Sequence, residues 1–394
     1  MKREFQASII LIFVISISFS CNKKPKNDNN IIESSNFTIL NINPKQFKEK
    51  DCYKFSKFCD SITYIPLETK DSFLIGSIDK IIVQNNKIFI LDKITESIFC
   101  FDINGKFLYK IDRKGNGPEE YISIGDFQVN SKDEVIIYSS SQGFLFYKNG
   151  RVTKKIESSV IASDFYIDER NSIYLYTGRS ANKEIFKDFP KQYRLIKIFD
   201  GAITKNYLPY NFDERYLRIP QARNTFFLLQ DTLHLIEYLN QEIYSISNDS
   251  LKPKYKIRFT TNSNSFNFNN KKELNTSIIE KIKENDYTRL ISYIETIDYL
   301  FISYNVENLM MYSYIRKKDL KINNAGLFYF DDFNGISFGG KFLYSTGNEL
   351  IGYIEPDLFL NLLKNRNDIS SNLKSLKRNL NSADNPLIIK LKLK

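Results

Sequence analysis

The sequence has one histidine, His234, in 394 residues, and four cysteines with no Cys-x-x-Cys pair among them. A zinc site of the usual kind draws three or four ligands from these two residue types, so that class has no support. The same scarcity speaks against a histidine general base and leaves carboxylate or Tyr/Arg chemistry for any catalysis. No Gly-x-Ser-x-Gly nucleophile elbow occurs. No catalytic residue, cofactor site or metal site is therefore assigned. Tryptophan is also absent, yet 32 Phe and 25 Tyr bring aromatic content to 14%. Together with Ile, these side chains favour pleated, half-buried surfaces and lean the composition toward β structure. A hydrophobic content of 42% is enough for a sizeable core.

The formal charge of +10 invites a nucleic-acid reading, but most of it sits at the chain ends. Residues 361–394 carry eight Lys or Arg against Asp368 and Asp384, an excess of +6. Lys23, Lys24 and Lys26 against Asp28 add +2, and Lys2 and Arg3 against Glu4 add +1. The remainder is about neutral. A groove for a phosphate backbone needs clustered charge on the folded body, so nucleic acid is not expected as a partner.

Lys2 and Arg3 followed by the apolar run 9–19 read as an export signal, too short to span a bilayer comfortably. The run ends at Ser18-Phe19-Ser20-Cys21. A small residue before a cysteine at this point resembles a bacterial lipoprotein signal, which implies cleavage before Cys21 and lipidation of Cys21. Residues 22–35 are polar apart from Ile31 and Ile32 and bury too little to fold, so they read as a flexible tether. The expected organisation is a signal peptide over 1–20, a tether over 21–36 and one folded body over 37–394. The anchor implies an outer-membrane lipoprotein whose partner is first the membrane itself. Surface-exported lipoproteins of the Bacteroidetes carry acidic residues after the cysteine; Lys23, Lys24 and Lys26 stand there instead, so a periplasm-facing position is as open as the cell surface. In an oxidising compartment Cys52 and Cys59 are a candidate pair, with burial as small apolar residues the alternative for these and Cys100.

From residue 76 onward, short apolar strands alternate with turn residues. Unit 1 reads as strands over 78–83, 87–92, 98–102 and 106–112. Unit 2 covers 125–129, 134–139, 143–147 and 151–156; unit 3 covers 162–167, 172–176, 193–199 and 202–208. Unit 4 covers 225–229, 232–238, 242–247 and 254–259; unit 5 covers 291–295, 299–304, 309–314 and 318–322. Unit 6 covers 327–330, 335–338, 341–345 and 349–354. Asn104-Gly105, Asn149-Gly150 and Asp200-Gly201 are hairpin turn signals. Pro66 places the extended stretch 61–69 at a sheet edge or strand end. Leu274, Ile278 and Ile282 predict an inserted helix over 271–285. Pro356 opens a helical excursion to about 381, with Leu358, Leu362 and Leu363, then Leu373, Leu376 and Leu380, as its apolar stripe. Residues 385–394 alternate apolar and basic and read as a last strand with one buried face. Six units of four strands predict an all-β, six-bladed β-propeller. The last strand then acts as a clasp, completing a blade that the other chain end began.

Ile65-Pro66-Leu67-Glu68-Thr69, Gly105-Lys106-Phe107, Gly115-Asn116-Gly117-Pro118-Glu119-Glu120-Tyr121 with Asp126-Phe127, and Asn385-Pro386-Leu387 resemble the Bacteroidetes six-bladed β-propeller lipoproteins. They are more distantly similar to NHL-repeat propellers, some of which are lyases or lactonases. The resemblance implies the fold and an envelope location, and no established activity.

The Gly115–Tyr121 stretch lacks the Lys-Ser/Thr that a phosphate-binding P-loop needs. It reads as a connection between blades in which Tyr121 packs, with Arg113, Glu119 and Glu120 as candidate ligand contacts. Asp92, Asp102, Asp126 and Asp164 stand at strand ends, where carboxylates could converge on a central channel and bind a cation or serve as turn residues. His234, in an apolar strand, reads as packed. The expected function is a binding or scaffolding module without evident catalysis, with an envelope protein or glycan as partner. The alternatives are an NHL-like, metal-assisted lyase or lactonase, and a glycan-binding component of a nutrient-uptake system.

Overall fold

The middle strands of each repeat are apolar along most of their length, as in Lys87–Asp92 and Gly143–Lys148, because both faces are buried. Ile88 and Ile90 point one way and Phe89 and Leu91 the other, into two separate apolar clusters. A slip of one residue would exchange these faces, so the register is fixed by packing on both sides.

The computed structural model describes residues 37–44, 53–178, 180, 182–210, 224–238, 240–260, 288–306, 309–325, 328–330, 336–337, 341–366 and 369–394. They form a six-bladed β-propeller. Blade 1 is Lys80–Gln84, Lys87–Asp92, Ser97–Asp102 and Phe107–Ile111. Blade 2 is Asp126–Val129, Val135–Ser139, Gly143–Lys148 and Arg151–Ile156. Blade 3 is Asp164–Ile167, Ile173–Tyr176, Gln192–Phe199 and Ala202–Tyr210. Blade 4 is Phe226–Leu229, Thr232–Glu237, Glu242–Ser247 and Ser250–Phe259, and Thr38–Ile42 adds a fifth strand parallel to its outer edge. Blade 5 is Arg289–Glu295, Tyr299–Val306, Leu309–Arg316 and Lys321–Ala325. The first strand of each blade is innermost, and first strands of adjacent blades meet around the ring, as Lys80–Gln84 meets Asp126–Val129 and Lys341–Thr346. Blades 1 to 4 share a β-bulge between their third and fourth strands, which strengthens the twist of the outer strand.

Blade 6 joins the two chain ends. Lys341–Thr346 and Glu349–Ile354 are followed by Leu387–Leu393, and the outer strand is Cys59–Pro66. The expected clasp is present, but the sixth unit differs from its reading. Residues 328–330 and 336–337 lie outside the blade and form a small sheet with Tyr53–Lys54. The two chain-end strands supply the full ladder of blade 6, so those residues are not needed in it.

Among the described residues six buried apolar clusters occur, one at each junction between blades. Each buried Ile, Leu or Phe contributes about 1.5–3 kcal/mol, so every blade is stabilised by both neighbours and closure matters to all six.

Asn385 locks that closure. It is 2% exposed, and its Nδ2 donates to the carbonyls of Glu68 at 2.8 Å and Phe73 at 3.1 Å. Its Oδ1 accepts from Ile75 N–H at 2.9 Å, and its own N–H donates to Thr69 Oγ1 at 2.9 Å. Glu68 in turn bonds Gly105 and Phe107: its N–H donates to the Gly105 carbonyl at 2.8 Å, and its Oε2 accepts from Phe107 N–H at 3.0 Å. Gly105 has φ +88°, and a Cβ there would fall 2.2 Å from the Pro66 carbonyl oxygen. Three of the quoted motifs are thus one joint between blades 6 and 1.

The two faces of the ring differ. On one, the turns within blades run two to five residues. On the other, each blade's outer strand ends and the next blade's innermost strand begins after seven to 29 intervening residues, and the described parts of the longest second-to-third-strand loops, within 177–191 and 355–386, stand there too. We call these the hairpin face and the long-connection face. Loop 355–386 holds α1 (Pro356–Leu363) and α2 (Ser371–Asn379). Their buried side is Pro356, Phe359, Leu363 and Leu373, whereas Leu358 of the expected stripe is 38% exposed. The aromatic face of Phe359 meets Tyr64 with ring centroids 5.5 Å apart, which turns the helix away from the Leu358 side. The predicted helix over 271–285, the signal peptide, the tether with Cys21, and Cys52 lie outside the described residues.

Candidate functional site

Repetition brings equivalent positions of successive blades together on the long-connection face. Lys80, Asp126 and Asp164 each open the innermost strand of their blade, and Thr225 directly precedes that of blade 4. Lys80 Nζ donates to Asp126 Oδ1 at 2.7 Å and to the Phe127 carbonyl at 2.8 Å. Asp164 Oδ2 accepts from Thr225 Oγ1 at 2.5 Å and from Thr225 N–H at 3.2 Å. Asp126 and Asp164 are each 4% exposed. Burial, then the neighbouring Asp126 charge, pushes the Asp164 carboxyl up to about 8. Its protonated form is thereby favoured relative to an ordinary aspartate.

This group borders a cavity of 250 Å³ whose wall includes Leu91, Lys93, Asp126, Ser163, Asp164 and Asn224. Lys93 Nζ donates to the Gly125 carbonyl at 2.8 Å. Asn224 stands in the left-handed region at φ +63°, and its Oδ1 is shielded from solvent with no hydrogen-bond partner. The exposed apolar side chains Leu74, Ile94, Ile122 and Ile161 project from connections of the same face, as Leu358 does from α1, and Ile94 is 73% exposed. Two further grooves lie at the rim. One, of 1290 Å³, runs between blades 2 and 3, and another, of 480 Å³, lies between blades 6 and 1. The central cavity is the better site because side chains from four blades converge on it.

The Gly-rich turn is largely bonded to itself. Glu120 Oε2 accepts from Gly117 N–H at 2.8 Å and lies where a Cβ on Gly115 would fall. Gly115 N–H donates to the Tyr121 carbonyl, and Tyr121 N–H to that of Arg113, both at 3.0 Å. Tyr121 is fully buried at the junction of blades 1 and 2, and its hydroxyl donates to the Glu96 carbonyl at 2.7 Å. The structure thus uses Glu120 to brace the turn and brings Arg113 and Glu119 together, Nη1 to Oε2 3.6 Å, on the exposed surface.

Of the four strand-end aspartates, only Asp126 and Asp164 meet. Asp92 accepts from Gly76 N–H, Ser77 Oγ, Thr95 Oγ1 and the N–H groups of Ile94 and Thr95, and so ties two loops of blade 1. Asp102 caps the hairpin turn at Asn104 and Lys106, on the opposite face. Among the described residues no three His, Cys, Asp or Glu side chains converge to hold a metal ion.

His234 is packed, 4% exposed and stacked on Phe227 at 4.8 Å. Burial, then the Lys254 charge, lowers it to about 4, so the ring is neutral. Its Nδ1 lies 3.0 Å from the Thr232 carbonyl and its Nε2 2.9 Å from Lys254 Nζ, which fits an Nδ1–H tautomer accepting from lysine. Lys254 and Lys317 both donate to Glu295, whose side chain is fully buried. Cys59 Sγ donates to the Phe55 carbonyl at 2.9 Å. Cys100 is a buried thiol that burial pushes up to about 12.

Lys80, Lys93, Thr225 and Asn224 were not singled out in the sequence. The available signal was the repeated Asp-Phe-Gln-Val and Asp-Phe-Tyr-Ile at 126–129 and 164–167. Matching positions in neighbouring propeller repeats face each other across the ring.

A structure from Bacteroides fragilis, assigned as an exported protein, superposes with a TM-score of 0.72 at 18% identity, covering 91% of this chain and all of that one. A member of the DUF4221 family from Bacteroides vulgatus superposes with a TM-score of 0.50 at 14% identity, covering 85% of this chain and 97% of that one. At these identities the likeness is one of fold. No curated protein matches the chain. The family model described as "Domain of unknown function (DUF4934)" matches residues 37–392, nearly the whole propeller, and the chain belongs to that family.

Proposed function

We propose that this protein is a lipid-anchored binding or scaffolding module of the cell envelope, which engages its partner on the long-connection face. The observation that carries the reading is the coincidence on that face of the exposed Leu74, Ile94, Ile122 and Ile161, carried on described connections, and the polar cavity. Loops on a rigid scaffold are where binding residues concentrate. A few placed polar groups orient a ligand while the apolar side chains around them supply buried area. The envelope location draws on the export signal and Cys21, and on the B. fragilis neighbour's assignment as exported. An outer-membrane anchor facing either the periplasm or the outside fits the sequence equally.

The test is affinity capture of the lipidated, tagged protein from gently solubilised envelopes, beside a variant carrying Ile94→Glu and Ile122→Glu. Both positions are exposed and leave the core intact. A stoichiometric partner, protein or glycan, that the double variant loses supports the reading. A partner retained in full by the variant and lost on changing Phe199 and Leu320, exposed on the hairpin face, contradicts it.

A further inference from the structure

We infer that the cavity at the mouth of the ring binds a small zwitterion carrying an ammonium and a carboxylate, a free α-amino acid being the simplest member. The inference rests on the long-connection face being the binding face and names the ligand class for its centre.

Both charge signs line the cavity, with the Asp79 carboxylate accepting from Lys93 N–H at 2.8 Å on the blade 1 side. Blade 1 contributes the ammonium of Lys93, whose side-chain acceptor is a neutral carbonyl, Gly125 O at 2.8 Å. Blade 4's approach contributes Asn224 Oδ1, an acceptor hidden from water and bonded to nothing. Blades 2 and 3 contribute Asp126 and Asp164. A buried amide oxygen without a donor costs about 1–3 kcal/mol, which a ligand N–H would recover. Lys80 is already matched by Asp126 and the Phe127 carbonyl, so Lys93 is the cation left for an incoming carboxylate. A ligand carboxylate on Lys93 and a ligand ammonium between Asn224 and Asp164 satisfy both ends at once. A simple anion would meet Asp126 and Asp79 and find no partner for Asn224. A simple amine would meet Lys80 and Lys93. The volume of 250 Å³ suits a molecule of a few heavy atoms with its water.

The pairing also moves a proton. Asp164 is faced by Asp126 and Lys80, by Thr225, by Lys93 and Asp79 across the cavity, and by Tyr238. A cation arriving beside it favours its ionised form. The raised Asp164 carboxyl therefore gives up its proton to the buffer more readily as the ammonium binds, and no bond to carbon is made or broken.

The experiment is isothermal titration calorimetry of the full chain with glycine, alanine and serine, each in two buffers of different ionisation enthalpy. The variants are Lys93→Met and Asp164→Asn, with glucose as an uncharged control. The expected result is binding with proton release at pH 7. Lys93→Met weakens it about tenfold or more, the loss of one charge-assisted hydrogen bond. Asp164→Asn, which keeps the Thr225 bond, abolishes the buffer dependence. No heat with any amino acid at about 10 mM, beyond the weak range of small-ligand affinity, overturns the inference. So does binding of glucose alone, or an unchanged affinity in Lys93→Met. If no amino acid binds while a protein partner is still captured through Ile94 and Ile122, the zwitterion is refuted and the face remains.

Discussion

Replacing Asn385 by alanine should open the ring at its seam. The side chain makes three hydrogen bonds that alanine cannot: to the carbonyls of Glu68 and Phe73, and from Ile75 N–H. Its own backbone bond to Thr69 Oγ1 survives. At 2% exposure water cannot replace all three, and each stranded backbone group costs about 1–3 kcal/mol. Allowing for partial hydration of the small space left, the loss is about 3–5 kcal/mol. Urea unfolding followed by far-UV circular dichroism measures it as a lower midpoint. Asn385→Asp adds a sign. Its second oxygen faces two carbonyls, so the carboxyl is pushed up in the folded state. Such a group costs nothing below its unfolded pKa, about 3.9, and its penalty grows as pH rises toward the folded value. Asn385→Asp should therefore approach wild-type stability near pH 4 and fall to or below the alanine variant at pH 8. A loss under about 1 kcal/mol for alanine, or an aspartate variant insensitive to pH, would show that the joint does not hold the ring.

Other expectations follow from the same geometry. Cys21→Ala should move the protein from the membrane to the soluble fraction on fractionation; retention in the membrane refutes lipid anchoring there. Asp164→Asn should stabilise the fold increasingly from pH 4 to pH 8, because a raised carboxyl disfavours the folded state once the unfolded chain ionises; a constant difference in urea midpoint across that range contradicts it. Burial raises Glu295, but Lys254 by charge and hydrogen bond, with Lys317 and Tyr293, outweighs it and holds the carboxyl below its usual value. Glu295→Gln should then cost about 3–5 kcal/mol at pH 7, the price of leaving two ammoniums unpaired. For the wild type, this contribution fades as pH falls below about 4.3.

The blades were legible because burial on both faces writes long apolar strands, and because Asn-Gly and Asp-Gly pairs mark their turns. Asn149-Gly150 and Asp200-Gly201 have positive φ at both residues, as such turns require. Blade 6 was harder: its outer strand comes from residues 59–66, more than 320 positions from its partner at 387–393, and no local pattern announces that pairing. Residues 328–330 and 336–337 look like blade strands by composition, and only the finished ladder excludes them. The site was less legible still. Asp126 and Asp164 were visible as strand ends, but their meeting depends on the ring, and Lys93 and Asn224 belong to no motif. The conspicuous motifs were structural: Leu67-Glu68-Thr69, Gly105 and Asn385 close the ring, and Gly115 to Tyr121 spans two blades. A repeat fold places its strongest sequence signals at joints, while its binding residues lie on links that differ from blade to blade.

The measurement that bears most directly on the account is site-specific photo-crosslinking in intact cells. A photoreactive side chain would replace Ile94 and Ile122 on the long-connection face, or Phe199 and Leu320 on the hairpin face, all four exposed. Discrete adducts from Ile94 and Ile122, with none from the other two, are the predicted result. Adducts confined to Phe199 and Leu320 would contradict it and move the binding surface to the face with the short turns.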